Sequence, residues 1–118
     1  MVKRVTLYGI SSCDSVKRAR AWLDTHGVPF QFHDFKKAGL APARAQRWLA
    51  RSDWQSLINR NGSTWRGLSE AEKAAVTTPA AACKLMCAYP TVVKRPVVEA
   101  GATLLVGFDA QRYSDRFK

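Results

Sequence analysis

Cys13 is the residue whose type and position most clearly indicate chemistry in this sequence. A short apolar run ends at Leu7, a Gly/Ser turn follows, and Cys13 stands where the pattern predicts the start of a helix. The first turn of a helix has backbone N–H groups without helical partners and carries the positive end of the macrodipole. Lys17 follows one turn later, and both features favour the thiolate, which is the nucleophilic form of cysteine. The alternative is a free cysteine that serves only as a small buried hydrophobic residue.

The composition predicts a single globular domain, spanning residues 1–118. The chain has 118 residues, of which 47% are hydrophobic, so it can bury one sizeable core. Its three cysteines are an odd number, which is typical of a cytoplasmic protein with reduced thiols. No apolar run approaches the roughly 20 residues of a membrane span, and no signal sequence is recognisable. We therefore expect a cytoplasmic protein with no membrane association, and we expect it to be monomeric.

The net charge of +10 results from 19 basic and 9 acidic residues. Such an excess attracts anions in general, including phosphates, carboxylates, glutathione and nucleic acid. The basic residues are scattered along the chain, and the aromatic residues do not follow the strand pattern that stacks nucleic-acid bases. Nucleic acid is therefore not the expected partner, although a nucleic-acid binder remains the third functional hypothesis.

Four strands and two helices form the predicted core of the fold. The strands are residues 4–9, 28–33, 96–100 and 103–106. A helix over residues 13–26 joins the first two, which gives a βαβ unit with parallel strands. A tight turn at Gly101 connects the last two strands in an antiparallel hairpin, and Asp109 is predicted to cap a final helix. The sequence predicts an α/β fold with a thioredoxin-like βαβ…ββα core.

Short helices are predicted between the second and third strands, in a helical insertion over approximately residues 37–89. Pro42 suits the first turn of one helix, and Asp53 suits the N-cap of another. Ser69 and Glu72 have the spacing of a capping box, and Thr78 precedes a proline that opens a further helix. Residues 61–63 are predicted to be a turn.

At four places in order, the sequence matches the pattern of a known family. The matching segments are residues 8–17 (YGISSCDSVK), 57–66 (LINRNGSTWR), 89–97 (YPTVVKRPV) and 106–109 (VGFD). The chain resembles the ArsC/Spx/YffB group, the arsenate-reductase-related proteins of thioredoxin-like fold, and it is most similar to the YffB branch. The resemblance covers essentially the whole chain. It implies a thiol reductase that binds no cofactor and uses glutathione as co-substrate, with glutaredoxin as a further possible partner.

The resemblance also implies roles for individual residues, with Cys13 as the nucleophile. The residues that would stabilise its thiolate are Ser12, Ser15 and Lys17. Those that would bind glutathione or another substrate are Arg60, Lys94, Arg95 and Pro96. Pro96 resembles the proline that lies beside the catalytic cysteine in thioredoxin folds, in the uncommon cis form. The alternative for Arg60 and Arg95 is an ordinary solvated cation.

Departures from the family pattern narrow the expected function. Arsenate reductases carry arginines where an approximate alignment places Asn59 and Gly107 here, and a site without these donors loses charge-assisted bonds to an oxyanion. This argues against arsenate as the substrate. Val16 stands where Spx regulators have the second cysteine of a redox switch, so an outside thiol such as glutathione would have to resolve any disulfide on Cys13.

Cys83 and Cys87 are spaced by four residues on a predicted helix, but zinc requires three or four ligands, so we interpret them as packing residues and expect no metal. The alternative to an enzyme is an Spx-like regulator that binds a larger protein without catalytic turnover.

Overall fold

The computed structural model describes residues 4–117. The strands are β1 (Val5–Gly9), β2 (Gln31–Asp34), β3 (Val97–Ala100) and β4 (Thr103–Val106). The helices are α1 (Asp14–Thr25), α2 (Phe35–Ala38), α3 (Pro42–Leu49), α4 (Trp54–Leu57), α5 (Ser63–Arg66), α6 (Glu70–Ala74), α7 (Pro79–Ala88) and α8 (Ala110–Phe117), with a 3-10 turn at Pro90–Val92. Within residues 4–117, no helix is long and apolar enough to cross a membrane.

The four strands form one mixed sheet in the order β2-β1-β3-β4. β1 is parallel to β2, whereas β3 is antiparallel to both β1 and β4. This is the predicted βαβ unit followed by a hairpin and a helix, so the α/β class and the thioredoxin-like core are confirmed. The hairpin turns at Gly101, where φ is +61°, a value that glycine adopts without strain.

The chain divides into two compact units, which are residues 4–34 with 95–117 and residues 35–94. In the first unit, alternate residues of the strands pack against α1 and α8, because successive side chains of a strand point to opposite faces. The buried members of this core are Val5, Leu7, Val16, Ala19, Leu23, Val98, Ala100, Leu105 and Tyr113. The core thus fixes α1, whose first turn follows Cys13, on one face of the sheet.

The start of β2 differs from the prediction, which placed it at residue 28. Gly27 has φ of +68°, its N–H donates to Asp24, and the N–H of Val28 donates to the Leu23 carbonyl. These two bonds are a Schellman motif that ends α1. They engage residue 28 in the helix terminus, so the strand begins only at Gln31.

The second unit, residues 35–94, consists of short helices around a buried set that includes Trp48 and Met86. The capping box of Ser69 and Glu72 is confirmed, and so are the N-caps at Asp53 and Thr78. Two four-residue helices, α2 and α5, were not predicted, and α5 occupies part of the stretch expected to be a turn. A single helical turn is too short to show the periodicity from which longer helices are predicted.

Tyr113 of α8 is fully buried among aromatic rings, and its hydroxyl has no hydrogen-bond partner among residues 4–117. An unsatisfied buried polar group destabilises the folded state, so we expect Tyr113→Phe to increase the free energy of unfolding by about 1 kcal/mol.

Burial also raises the pKa of Tyr113 above its ordinary value of 10.0. The unfolded chain therefore ionises first, and stability falls as the pH rises past that value. Urea titrations near neutral pH and at alkaline pH test both points, because Tyr113→Phe should lose less stability in alkali than the wild-type protein does. A Tyr113→Phe variant that is less stable than the wild type at neutral pH would contradict the unsatisfied state of this hydroxyl.

Candidate active site

Cys13 is the N-cap residue of α1 and is half-buried. Its backbone N–H donates to the Ile10 carbonyl at 3.2 Å, which closes the turn after β1, and its carbonyl accepts from the Lys17 N–H at 2.9 Å. The residue is therefore held by the backbone on both sides. The first N–H groups of α1 and the positive end of its macrodipole lie at this position, and both stabilise negative charge.

Gly9 fixes how closely α1 approaches the end of β1. A β-carbon built on Gly9 would lie 2.5 Å from Cγ2 of Val16, a residue that is itself completely buried in the first turn of α1. Real β-carbons do not approach other atoms this closely. Gly9 is thus needed for the strand and the helix to meet at this distance, and so for Cys13 to occupy its place between them.

Pro96 stands opposite the end of β1, where the loop to Cys13 begins. The β1–β3 ladder pairs Tyr8 with Val97, so the next position along the register places Pro96 across from Gly9. Proline has no N–H and cannot extend this ladder. The Pro96 carbonyl instead accepts from the Gly107 N–H at 2.8 Å, on the side of β4. The register thus brings the Cys13 loop and Pro96 to the same end of the sheet, and the Arg95–Pro96 peptide bond is cis, the form that the resemblance implies.

Arg95 precedes this proline and is half-buried. Its guanidinium has no hydrogen bond or ion pair with any of the residues 4–117. An arginine in this state retains all its N–H donors, whose planar arrangement matches the two oxygens of a carboxylate. Arg95 is therefore available to bind an anion at this end of the sheet.

The polar residues around Cys13 differ in exposure. Ser12 and Lys17 are exposed, and Ser15 is half-buried in the first turn of α1. Asp14 is also exposed and occupies the first position of the helix, where its carboxylate is favourable for the helix but places a like charge beside the thiolate. Ser15 and Lys17 lie on α1, the helix whose N-cap is Cys13.

Arg60 and Lys94 belong to the unit formed by residues 35–94. Lys94 is exposed, and its backbone N–H donates to the Leu57 carbonyl at 2.8 Å. The Arg60 guanidinium lies 5.6 Å from the ring centre of Trp65 and 6.0 Å from that of Trp54. The exposed Arg60 side chain thus makes cation–π contacts with both tryptophan rings within residues 35–94. The substrate-binding role expected for Arg60 and Lys94 stays a prediction.

A buried polar pair on the sheet was not identified from the sequence. The Tyr8 hydroxyl donates to Oε1 of Glu99 at 2.7 Å, and both residues are buried. The ring of His33, on β2, lies 4.9 Å from that of Tyr8, and His33 is half-buried. A glutamate within the apolar strand Val97–Ala100 was the available signal, because a charged residue is rarely buried without a partner.

Gly107 follows β4 with φ of +78°, in the left-handed region. A non-glycine residue is strained there, so this position does not suit the arginine that arsenate reductases carry at the aligned place. Within residues 4–117, no group of three or more His, Cys, Asp or Glu residues is arranged to hold a metal ion.

Comparison with known proteins identifies relatives that match nearly the whole chain. A sequence profile described as ArsC family matches residues 8–115. The solved structure of a YffB (PA3664) protein is 45% identical, covers 97% of this chain and 99% of its own, and has a TM-score of 0.92. An arsenate reductase (ArsC) related protein from Brucella melitensis is also 45% identical, covers 98% of this chain and 95% of its own, and has a TM-score of 0.74.

Among sequence relatives, an uncharacterized protein of Haemophilus influenzae is 32% identical over 113 residues, which cover 96% of this chain and 98% of the relative. The global transcriptional regulator Spx of Streptococcus pneumoniae is 26% identical over 108 residues, which cover 89% of this chain and 79% of the regulator. The similarity thus spans both the sheet unit and residues 35–94.

Proposed function

Because the chain belongs to the ArsC family, we propose that it is a glutathione-dependent thiol–disulfide oxidoreductase in which Cys13 is the nucleophile. The observation that carries this proposal is the position of Cys13 at the N-cap of α1, at the end of the sheet where Arg95 and Pro96 precede β3. The unpaired N–H groups of the first turn of α1 can stabilise negative charge there, and the guanidinium of Arg95 is free to bind a carboxylate of glutathione.

The proposed reaction is the reduction of a mixed disulfide between glutathione and a second thiol. The Cys13 thiolate attacks the glutathione sulfur, a Cys13–glutathione disulfide forms, and the other sulfur leaves as a thiolate that takes up a proton. A second glutathione, as its thiolate, then attacks the glutathione sulfur of this disulfide and releases glutathione disulfide and the Cys13 thiolate. The net reaction converts one mixed disulfide and one glutathione into one free thiol and one glutathione disulfide.

A single cysteine is enough for this cycle because glutathione itself resolves the intermediate. Val16, three residues after Cys13, cannot form the local disulfide of a Cys-x-x-Cys site. We place the reaction in a reducing compartment such as the cytoplasm, where glutathione is abundant and glutaredoxin can take its place as the resolving thiol. Arsenate is not the proposed substrate, because Asn59 and the left-handed Gly107 stand where its arginine ligands would be.

The test is a turnover assay with the mixed disulfide of glutathione and 2-mercaptoethanol as substrate and reduced glutathione as reductant. We expect glutathione disulfide to form in proportion to the protein concentration, and no reduction when arsenate replaces the disulfide. Formation of glutathione disulfide at the uncatalysed rate would contradict the proposal, and so would faster reduction of arsenate than of the disulfide.

Replacing Arg95 by alanine should weaken glutathione binding. A charge-assisted hydrogen bond contributes about 1.5–3 kcal/mol, which corresponds to a rise in KM for glutathione of about ten- to a hundredfold. Arg95→Lys should recover only part of this loss, because an ammonium group does not donate to two oxygens in one plane. Steady-state kinetics with varied glutathione measure the effect, and an unchanged KM in Arg95→Ala would remove Arg95 from the site.

A second candidate function is an Spx-like role as a protein-binding regulator without turnover. The 26% identity to Spx over 108 residues favours it. Against it stands Val16, since the switch of that family uses a second cysteine at this position. If Cys13→Ser leaves the cellular phenotype of the wild-type gene intact, the regulator is the better description; loss of the phenotype supports the enzyme.

A further inference from the structure

Helices α3 and α7 form an open groove of about 780 Å³ within residues 35–94. Its lining is mainly apolar, and it includes Leu49 of α3 and Pro79 of α7. Two thiols, Cys83 and Cys87, open onto this groove, and Lys84 is the charged residue among those that line it. None of these residues takes part in the proposed reaction at Cys13.

Cys83 and Cys87 lie one turn apart on the same face of α7, because residues four apart on a helix are neighbours. Both side chains are half-buried, so they are accessible from the groove without being fully solvated. Burial, and secondarily the neighbouring Cys83 thiol, raise the pKa of the Cys87 thiol.

We propose that Cys83 and Cys87 form a two-thiolate binding site for a soft monovalent cation of the copper(I) type. Thiolate sulfur is the ligand that selects such ions. The number of ligands favours such an ion over zinc, because residues 4–117 hold no cluster of three or more His, Cys, Asp or Glu residues that could complete a zinc site. Copper(I) and silver(I) are stable with two sulfur ligands in a linear arrangement, which a pair of flexible cysteine side chains on adjacent turns can provide.

The charges in the groove suit this ion. Binding replaces two thiol protons by one monovalent cation, so the site releases two protons and the bound complex carries one negative charge. Lys84 lines the same groove and supplies the balancing positive charge. The mainly apolar lining favours the sulfur-bound ion over the hydrated one.

The test uses copper(I), buffered under anaerobic conditions by the chromophoric chelator bicinchoninate, with the Cys13→Ser protein. This background removes the third thiol without touching the groove. We expect one copper(I) per chain, bound by a protein whose hydrodynamic size does not change. Adding Cys83→Ser or Cys87→Ser should weaken binding by at least about a hundredfold, because the second thiolate then no longer acts at high effective concentration. Circular dichroism of each variant checks that it is folded.

A second measurement is independent of the folding of these variants. Copper(I) should protect both Cys83 and Cys87 of the Cys13→Ser protein from alkylation by N-ethylmaleimide, as seen by peptide mass spectrometry. Protection of only one thiol, half a copper(I) per chain with dimer formation, or equal affinity in the single-thiol variants would overturn the proposal. Because Cys13 is absent throughout, these outcomes do not depend on the proposed oxidoreductase activity.

Discussion

Cys13→Ser lowers the rate of glutathione-dependent disulfide reduction by at least about a thousandfold, which is the scale of loss on removing a catalytic nucleophile. The serine hydroxyl has nearly the same size as the thiol, but at neutral pH it is not ionised and cannot exchange with a disulfide. The variant should remain folded, since Cys13 is only half-buried and its backbone bonds to Ile10 and Lys17 do not involve the side chain. The measurement is the turnover assay with the mixed disulfide, at equal concentrations of folded protein.

Cys83→Ser and Cys87→Ser are the matched controls, because each removes one thiol from α7 and none from the proposed site. Both should retain most of the wild-type rate. If Cys13→Ser keeps its activity while one of these controls loses it, the nucleophile has been assigned to the wrong cysteine. If all three variants are active, the protein is not a thiol oxidoreductase of the kind proposed.

Gly9→Ala is expected to have the second large effect, on stability and on the position of the nucleophile. The added methyl group would lie 2.5 Å from Cγ2 of Val16, whose side chain is completely buried and cannot swing away. Forcing an extra carbon into a packed core costs about 1–3 kcal/mol. We expect a loss of this size in the free energy of unfolding, measured by urea titration. Activity should fall as well, because α1 must shift away from β1 and Cys13 shifts with it.

A double-mutant cycle with Val16→Ala identifies the cause of the Gly9→Ala effect. Val16→Ala alone leaves a cavity and destabilises the protein, but it also removes the Cγ2 methyl group that clashes with a residue-9 side chain. The double variant should therefore be more stable than the sum of the two single effects predicts. Strict additivity would show that the cost at Gly9 arises elsewhere, for instance from the conformational freedom of the backbone.

The elements of the fold with clear signals were predicted correctly. The capping box at Ser69 and the N-caps at Asp53 and Thr78 depend on hydrogen bonds between residues three apart in the chain, so sequence spacing is sufficient to identify them. The parallel pairing of β1 with β2 follows from the βαβ rule, and the antiparallel pairing of β3 with β4 follows from the turn at Gly101. The position of β3 beside β1 was not predicted. In contrast, the later start of β2 was not predicted, because it depends on the bond from the Val28 N–H back to the Leu23 carbonyl of α1.

The apolar spacing on α7 illustrates a limit of periodicity. Ala82, Leu85 and Met86 follow helical spacing and are buried, but Tyr89, which continues the same spacing, is 42% exposed. The helix ends at Ala88, and Tyr89 turns away so that its hydroxyl donates to Glu72 at 3.4 Å. Apolar spacing in the sequence therefore does not show where the helix ends.

The candidate site was predictable in part. The placement of Cys13 at a helix start follows from the Gly/Ser turn before it, and the register of β1 with β3 then brings Pro96 to the same end of the sheet. The buried pair of Tyr8 and Glu99 was not predicted, because it joins residues 91 positions apart in the sequence. The close approach of Gly9 to Val16 was not predicted either, since only the packed structure shows the space that a side chain would need.

The most direct test of the central claim is to treat the reduced wild-type protein with glutathione disulfide and to map the adducts by peptide mass spectrometry. We expect one glutathione per chain, attached to Cys13, before any modification of Cys83 or Cys87, and complete removal of the adduct by added glutathione. An adduct that forms first on Cys83 or Cys87, or a Cys13 that stays unmodified while the protein is folded, would contradict it.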